Sequence, residues 1–294
     1  MRKQFVKTVE KIFSKKNIAL ILGDIGVHAF SSLIKKYPNR AINIGILEQS
    51  SISFAAGLSK LGIIPIIHTI APFMISRCFE QIKIDFGYQK LRGNFVSVGA
   101  SYDYSKLGCT HHCPEDINLI KNIPGMQIVI PGNSFEFDRL FLSSYQNNFP
   151  TYYRLSEREN DQSFKVKFGK ANTLQEGTEA TVIVVGPAFN FIKKFIKKYN
   201  VNVIYLTTIV PIDKNTIKKI CKNISKIMII EQYYQSSINN EISKILNKKI
   251  NFCNVSVPLK FLSNYGSDKE IDKQIDFEEK KIEKKLIKLI SNKK

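Results

Sequence analysis

The sequence predicts an α/β fold with two domains, a parallel-sheet domain followed by a smaller α/β domain. Short apolar runs rich in β-branched residues alternate with helical patterns through most of the 294 residues. Such alternation is typical of parallel sheets covered by helices. A polar stretch at residues 156–167 interrupts the alternation and resembles a linker. We therefore expect residues 1–160 to form the first domain and residues 161–294 the second.

Strands are predicted where β-branched and aromatic residues form short runs. These runs are residues 18–22, 41–44, 63–68, 94–98, 127–130, 151–155, 181–185, 201–206, 226–230 and 251–257. Helices are predicted where apolar residues recur every three or four positions, as Ile52 and Ala55 do. The predicted helices are residues 48–61, 76–89, 114–121, 134–145, 189–199, 214–222, 237–246 and 278–290.

The composition excludes several classes of protein. The net charge of +19 comes from lysines that are spread along the chain and its helix faces. This distribution indicates a compositional bias, and we expect no nucleic-acid partner, because charge alone carries no readout geometry. The apolar stretch at residues 62–75 is interrupted by two prolines and His68, so we expect no membrane partner either. Five cysteines without paired spacing favour reduced thiols. A soluble cytoplasmic protein is the expectation.

Three segments are dense in residues that carry chemistry. In the first, residues 43–49, a strand ends in a glycine turn and Glu48 opens a helix. Glu48 could simply favour the helix N-terminus. The carboxyl end of a parallel strand is equally where α/β folds bind ligands. Its position alone does not choose between these interpretations.

The second and third segments contain histidines. His68 and Phe73 flank a proline turn, and each by itself is typical of a protein core. Residues 107–116 place His111 and His112 between two cysteines. This spacing matches no standard structural zinc site, so we predict no bound metal. A structural loop and a polar substrate-binding loop both fit, and we favour the substrate-binding loop.

Together these segments resemble the carboxyl-terminal half of transketolase, and the resemblance covers nearly the whole chain. The matching pieces follow the order of the family: residues 23–24, 43–49, 55–58, 65–69, Phe73, Arg77, Gln81, 110–111, 115–116, 124–126, 131, 168–171, 181–183, 211–213 and Glu231. The resemblance implies a pyrimidine-binding domain followed by a transketolase C-terminal domain.

The resemblance also implies thiamine diphosphate as the cofactor. In this family a glutamate hydrogen-bonds N1′ of the aminopyrimidine ring and favours the imino tautomer that activates the thiazolium ring. Glu48 matches that catalytic glutamate, and His111 matches a histidine that contacts the hydroxylated end of the donor ketose. Phe73 matches an aromatic residue that packs on the pyrimidine. Ile70 and Asp24 also match positions beside the cofactor.

Four further residues are weaker candidates for contact with the substrate. His68 precedes the family threonine, and His112 follows His111. Arg77 is either structural or within reach of substrate. Arg154 lies near the arginine-containing strand end of the family.

One segment of the family is missing from this sequence. No Gly-Asp-Gly followed at a distance by Asn occurs, and family members use that segment to hold Mg²⁺ and diphosphate. The resemblance therefore implies a separate N-terminal subunit as partner, in an α2β2 heterotetramer with the active site at the interface. The metal and the diphosphate would be held mainly by that partner.

The expected reaction is transfer of a two-carbon ketol unit between sugars that are phosphorylated or nucleotide-linked. The loop before His111 is shorter than in ordinary transketolases, and the histidine and glycines that usually follow Glu231 are absent. Both differences favour a divergent branch that acts in unusual sugar biosynthesis. The alternatives are a subunit like deoxyxylulose-phosphate synthase or the β subunit of 2-oxo acid dehydrogenases, and a non-catalytic scaffold.

Overall fold

The computed structural model describes residues 1–235 and 237–291 and contains two mainly parallel sheets, which confirms the predicted α/β class. The strands are β1 (Ile18–Leu22), β2 (Ala41–Asn43), β3 (Ile64–Ile70), β4 (Gly93–Val98), β5 (Gln127–Val129), β6 (Pro150–Arg154), β7 (Asn172–Gln175), β8 (Thr181–Val185), β9 (Asn202–Leu206), β10 (Thr208–Val210), β11 (Lys226–Tyr234) and β12 (Asn251–Val257).

Helices cover both sheets. The α-helices are α1 (Arg2–Ile12), α2 (Ser31–Lys36), α3 (Glu48–Lys60), α4 (Ala71–Ile75), α5 (Phe79–Gln81), α6 (Asp116–Ile120), α7 (Ser134–Ser144), α8 (Lys214–Ile220), α9 (Asn239–Leu246), α10 (Asp268–Gln274) and α11 (Glu279–Ser291). A π-helical segment, Ile82–Tyr88, continues from α5.

The first sheet has the strand order β10-β5-β6-β4-β3-β1-β2 among the described residues. Its strands run parallel apart from β10, which pairs antiparallel with β5. Strands β1, β3, β4 and β6 are buried along their whole length. Burial on both faces explains why β1 reads as one continuous apolar run and why only His68 and Thr69 interrupt the apolar run of β3.

The second sheet has the order β12-β11-β8-β9-β7, and β7 is its antiparallel edge. Both hydrophobic clusters contain residues from each half of the chain. Strand β10 lies after residue 160 in sequence but belongs to the first sheet, so the chain crosses back between the sheets. The boundary at residues 160 and 161 stays a prediction.

Four helices of the structure escaped prediction: α1, α2, α4 and α10. The predicted helix at residues 76–89 is instead divided between α5 and the π-helical segment. The helix predicted at residues 189–199 is wrong, since two 3₁₀ turns, Gly186–Phe191 and Ile196–Lys198, occupy this stretch. Phe189, Ile192 and Phe195 are all buried, and their spacing of three matches the repeat of a 3₁₀ helix.

Candidate functional site

The candidate site lies where the carboxyl ends of β1, β2, β3 and β4 meet. These four strands are adjacent and parallel, so the loops that follow them share one edge of the sheet. Asp24 follows β1, Glu48 follows β2, Phe73 follows β3 and His111 lies in the loop after β4. This edge is where open α/β sheets place their ligands.

Glu48 is the first residue of α3, and its side chain is only 4% exposed. Gly45, with φ of +83°, makes the turn that brings the chain from β2 to this helix. Glu48 Oε2 accepts a hydrogen bond of 2.7 Å from Nη1 of Arg77, whose side chain is 42% exposed. The carboxylate is thus held at a helix N-terminus, where the helix dipole favours negative charge.

Phe73 lies beside this ion pair. The guanidinium carbon of Arg77 is 4.4 Å from the centroid of the Phe73 ring. On the same ring, the imidazole of His111 packs at 5.4 Å between centroids and at an interplanar angle of 68°. Ile70, the last residue of β3, is buried at the base of this turn. Glu48, Arg77, Phe73 and His111 therefore form one continuous group of contacts, which we call the Glu48 cleft.

The loop that carries His111 is held in place at two points. Glu115 Oε1 accepts a hydrogen bond of 2.9 Å from Ser76 Oγ, next to Arg77. Tyr104 packs against Gly99, where a Cβ would approach the ring to 2.4 Å. The Tyr104 ring also lies 6.4 Å from that of His111. Sequence reasoning missed Tyr104, although a glycine directly after a buried strand marks a site of close approach.

Asp24 joins the cleft through Asn43. The Asn43 Oδ1 atom accepts hydrogen bonds from the backbone N–H groups of Asp24, at 2.9 Å, and Gly45, at 3.1 Å. Asp24 has φ of +65° and an exposed side chain. This bridge fixes the loop after β1 against the turn that leads to Glu48.

His68 and His112 lie outside the group of contacts around Glu48. His68 is fully buried in β3, with Nδ1 at 2.8 Å from the Val96 carbonyl oxygen, and burial lowers the pKa of its imidazole to about 4. His112 is also buried, which lowers its pKa, and it lines a cavity of about 490 Å³ where the two halves of the chain meet. Both imidazoles are therefore neutral at pH 7.

Arg154 is also placed away from the cleft. Its Nε atom lies 2.6 Å from Oδ2 of Asp116, and both side chains are buried. Its Nη2 donates to the backbone carbonyl of Gln232 in β11, at 3.1 Å. Arg154 thus connects the first sheet to the second, a contact that favours a structural role.

No cluster of three or more His, Cys, Asp or Glu side chains suited to a metal ion occurs in residues 1–235 and 237–291. In the same described ranges, no helix has the length and apolarity to cross a bilayer.

The fold is that of a two-part α/β protein, and its candidate ligand site is built from one half of the chain. The family description "Transketolase, pyrimidine binding domain" matches residues 12–162, and "Transketolase, C-terminal domain" matches residues 169–280. The chain belongs to the transketolase family, as the C-terminal part of a split transketolase.

Individual relatives are similar to this chain over most of their length. The chain is 32% identical over 229 residues to the "Uncharacterized 33.6 kDa protein in fasciation locus" of Rhodococcoides fascians, with 77% of this chain and 73% of the relative covered. It is 28% identical over 247 residues to the B subunit of the apulose-4-phosphate transketolase of Phocaeicola vulgatus, with 79% and 78% covered.

A solved structure described as "Split gene transketolase, inactive beta4 tetramer" has a similar fold. It superposes with a TM-score of 0.87 at 21% identity, and the match covers 100% of this chain and 99% of the solved chain. At this identity the likeness speaks for the fold alone.

Proposed function

We propose that this chain is the pyrimidine-binding subunit of a two-component, thiamine diphosphate-dependent enzyme that transfers a two-carbon ketol unit between sugars. The observation that carries this proposal is the Glu48 cleft, in which a buried carboxylate lies beside an aromatic ring. A histidine at the rim of the same cleft completes the set of groups that ketol transfer needs.

The residues of the cleft fit the aminopyrimidine part of the cofactor. Glu48 offers a carboxyl group that is shielded from water, and Phe73 offers the face of a ring. When bound, thiamine diphosphate supplies the electron sink for breaking and forming the carbon–carbon bond. Thiamine diphosphate itself is general to the transketolase family, whereas the roles of individual residues here are part of the proposal.

Glu48 holds a proton at the edge of the pyrimidine ring. A carboxyl group in a dry site makes a stronger hydrogen bond than one in water, because less solvent competes for its proton. Burial of Glu48 at the start of α3 meets this requirement. Because the helix positions the carboxyl group before the ligand arrives, no reorganisation is needed during the reaction.

His111 contacts the hydroxyl groups of the donor ketose. Its ring is oriented by Phe73 on one side, and its Nδ1 lies 3.0 Å from Oγ1 of Thr110. The other nitrogen is then free to donate to, or accept from, a sugar hydroxyl. A polar donor of this kind favours ketol transfer over decarboxylation of a 2-oxo acid, and the pairing of Glu48 with His111 speaks against a pure scaffold.

A second polypeptide would hold the diphosphate and Mg²⁺, because this chain lacks the Gly-Asp-Gly segment. Apolar side chains beside Glu48 support such a partner: Ile46, Leu47 and Phe54 are 68%, 57% and 43% exposed. Exposed apolar groups in one region mark protein contacts. One relative is named as one of the subunits of a transketolase. That name agrees with a chain that needs a partner, for which we propose an α2β2 arrangement.

The substrate class follows from the relatives only in outline. One relative is named for apulose-4-phosphate, a phosphorylated sugar, and the excess of lysines in this chain suits an anionic substrate. We propose a sugar phosphate or nucleotide-linked sugar as donor, with no nucleic acid or membrane involved and with the reaction in the cytoplasm.

The test is reconstitution with a second chain that carries the Gly-Asp-Gly segment. Ketol transfer is measured with each chain alone, with both chains, and with and without thiamine diphosphate. We expect turnover only when both chains and the cofactor are present. We expect Glu48→Ala to lower kcat by at least about 100-fold, and Glu80→Ala, a change at an exposed glutamate nearby, to leave it unchanged. Turnover by this chain alone, or full activity of Glu48→Ala, would contradict the proposal.

A further inference from the structure

Arg77 makes two contacts that the proposed function assigns to the cofactor. Its Nη1 donates to Oε2 of Glu48 at 2.7 Å, and its guanidinium carbon lies 4.4 Å from the centroid of the Phe73 ring. An aminopyrimidine that hydrogen-bonds to Glu48 and packs on Phe73 needs both of these partners. One planar group that touches the two partners at once fills the space between them.

The chemistry of guanidinium suits this position. It is flat, carries N–H donors in its plane and packs its face on aromatic rings. An aminopyrimidine ring is also flat, with hydrogen-bonding nitrogens at its edge and a face that stacks. Arg77 therefore reproduces the edge and face contacts of the ring, and it compensates the buried charge of Glu48, which would otherwise be costly.

We propose that Arg77 is an internal ligand that occupies the aminopyrimidine site and must leave when cofactor binds. This inference rests on the proposed function of the Glu48 cleft. Arg77 then competes with the cofactor for this site. The free energy of aminopyrimidine binding is less favourable by the free energy needed to break the Arg77–Glu48 pair.

The local structure lets the side chain leave while the backbone stays. Arg77 lies between α4 and α5, and its N–H donates to the Pro72 carbonyl oxygen at 3.2 Å. Its own carbonyl accepts from Nε2 of Gln49 at 3.3 Å. The backbone is thus fixed at both ends of the residue, whereas the side chain is 42% exposed and borders solvent. Rotation about its side-chain bonds is sufficient to open the site.

The thiol of Cys78, which lies beside the Arg77–Glu48 ion pair, carries no charge at pH 7. The Cys78 thiol packs close by and donates to the Phe73 carbonyl oxygen at 3.2 Å. Burial, and then the charge of Glu48, raises the pKa of Cys78 to about 12, so this thiol is neutral at pH 7. The cation that pairs with Glu48 is the guanidinium of Arg77.

The test measures binding of thiamine, which lacks the diphosphate, to the full-length chain by calorimetry. We expect Arg77→Gln to bind thiamine about 10-fold more tightly than the wild type, a coupling of ordinary size for two competing ligands. Arg77→Lys keeps the charge but loses the flat group, so an intermediate affinity is expected. The matched control is Arg92→Gln, since Arg92 contacts the Gly62 carbonyl oxygen away from the cleft, and it should bind as the wild type does.

A second measurement does not depend on the folding of Arg77→Gln. Thiamine added to the wild-type chain should shift the ¹⁵Nε resonance of Arg77, identified by its absence in Arg77→Lys. Equal or weaker thiamine binding by folded Arg77→Gln would overturn the inference, as would an unchanged Arg77 resonance at saturating thiamine. A merely structural Arg77 predicts weaker binding on substitution, the opposite sign.

The two proposals fail in different ways. If the reconstituted enzyme needs thiamine diphosphate and Glu48 but Arg77→Gln gains no affinity for thiamine, the role of Arg77 alone is wrong. If the reconstituted enzyme turns over without thiamine diphosphate, the proposed function falls and the inference falls with it.

Discussion

Replacing Arg154 with methionine should destabilise the protein strongly, because the change leaves a buried carboxylate without its cation. Arg154 and Asp116 are 3% and 0% exposed and lie 2.6 Å apart. The substitution also removes the hydrogen bond from Arg154 to the Gln232 carbonyl oxygen, which connects the two sheets. The side chain of methionine fills much of the same volume, so the loss is mainly electrostatic.

The size of the effect follows from what remains around Asp116. Removing one partner of a buried ion pair costs about 3–5 kcal/mol. Two donors stay in place for Asp116: the hydroxyl of Tyr152 at 2.8 Å and the backbone N–H of Ile117 at 2.8 Å. These bonds offset part of the penalty, so we expect about 3 kcal/mol, the lower end of that range.

Urea unfolding followed by circular dichroism measures this change, with Arg139→Met, at an exposed arginine, as the control. The double variant Arg154→Met with Asp116→Asn should lose less stability than Arg154→Met alone, because no buried charge is left unpaired. A loss below about 1 kcal/mol for Arg154→Met would refute the reasoning. Unchanged stability with a raised KM for sugar would instead support the substrate role that the sequence suggested.

Three further predictions concern His111, the thiols and a buried glutamate. His111→Ala should raise the KM for the donor sugar while the Kd of thiamine diphosphate is kept, measured on the reconstituted enzyme. Iodoacetamide should label exposed Cys109 before Cys78, as followed by mass spectrometry, because burial raises the pKa of Cys78 to about 12. Burial raises the pKa of Glu231 from 4.5 to about 7, so the folded state loses stability as pH rises through this interval. Glu231→Gln should remove that loss. Between about pH 5 and pH 8, the free energy of unfolding in urea should fall by about 2–3 kcal/mol more in the wild type than in Glu231→Gln.

Each of these expectations has a clear contrary result. Lost cofactor affinity in His111→Ala would mean that this residue supports the cofactor site. Early labelling of Cys78 would mean that the region beside Glu48 opens readily. An unchanged pH dependence in Glu231→Gln would place the ionisation of Glu231 outside this range of pH.

Strands were predicted well where burial on both faces left a strong local signal. Predicted and observed bounds agree for β1 and β8, which are apolar and buried along their whole length. They also agree for β12, although this edge strand is only partly buried. Strand β10 was missed because it has three residues and pairs with β5, which is distant in sequence. Local patterns carry no information on such non-local pairing.

The missed helix α1 shows a different limit. Its apolar residues Phe5, Val9 and Ile12 have helical spacing and are buried. The lysines between them make this apolar face of the helix hard to recognise in the sequence. The signal was therefore present in the sequence. By contrast, the spacing of three between Phe189, Ile192 and Phe195 was interpreted as helical, and 3₁₀ turns occupy that stretch instead.

The members of the candidate site could be predicted, but their contacts could not. Glu48, Phe73 and His111 were identified from motif order, and the shared edge of the sheet explains why they meet. The pairing of Glu48 with Arg77 joins the start of α3 to a residue that lies 29 positions further along the chain. Likewise, the sequence alone could not tell that Arg154 turns towards Asp116 and the second sheet.

The most direct test of the central claim follows the step that Glu48 is proposed to promote. Thiamine diphosphate is bound to the reconstituted enzyme, and deuterium exchange at C2 of the thiazolium ring is measured by NMR after acid quench. With equal cofactor occupancy, we predict that Glu48→Gln slows this exchange by about 100- to 1,000-fold. Exchange at the wild-type rate in Glu48→Gln would contradict the account.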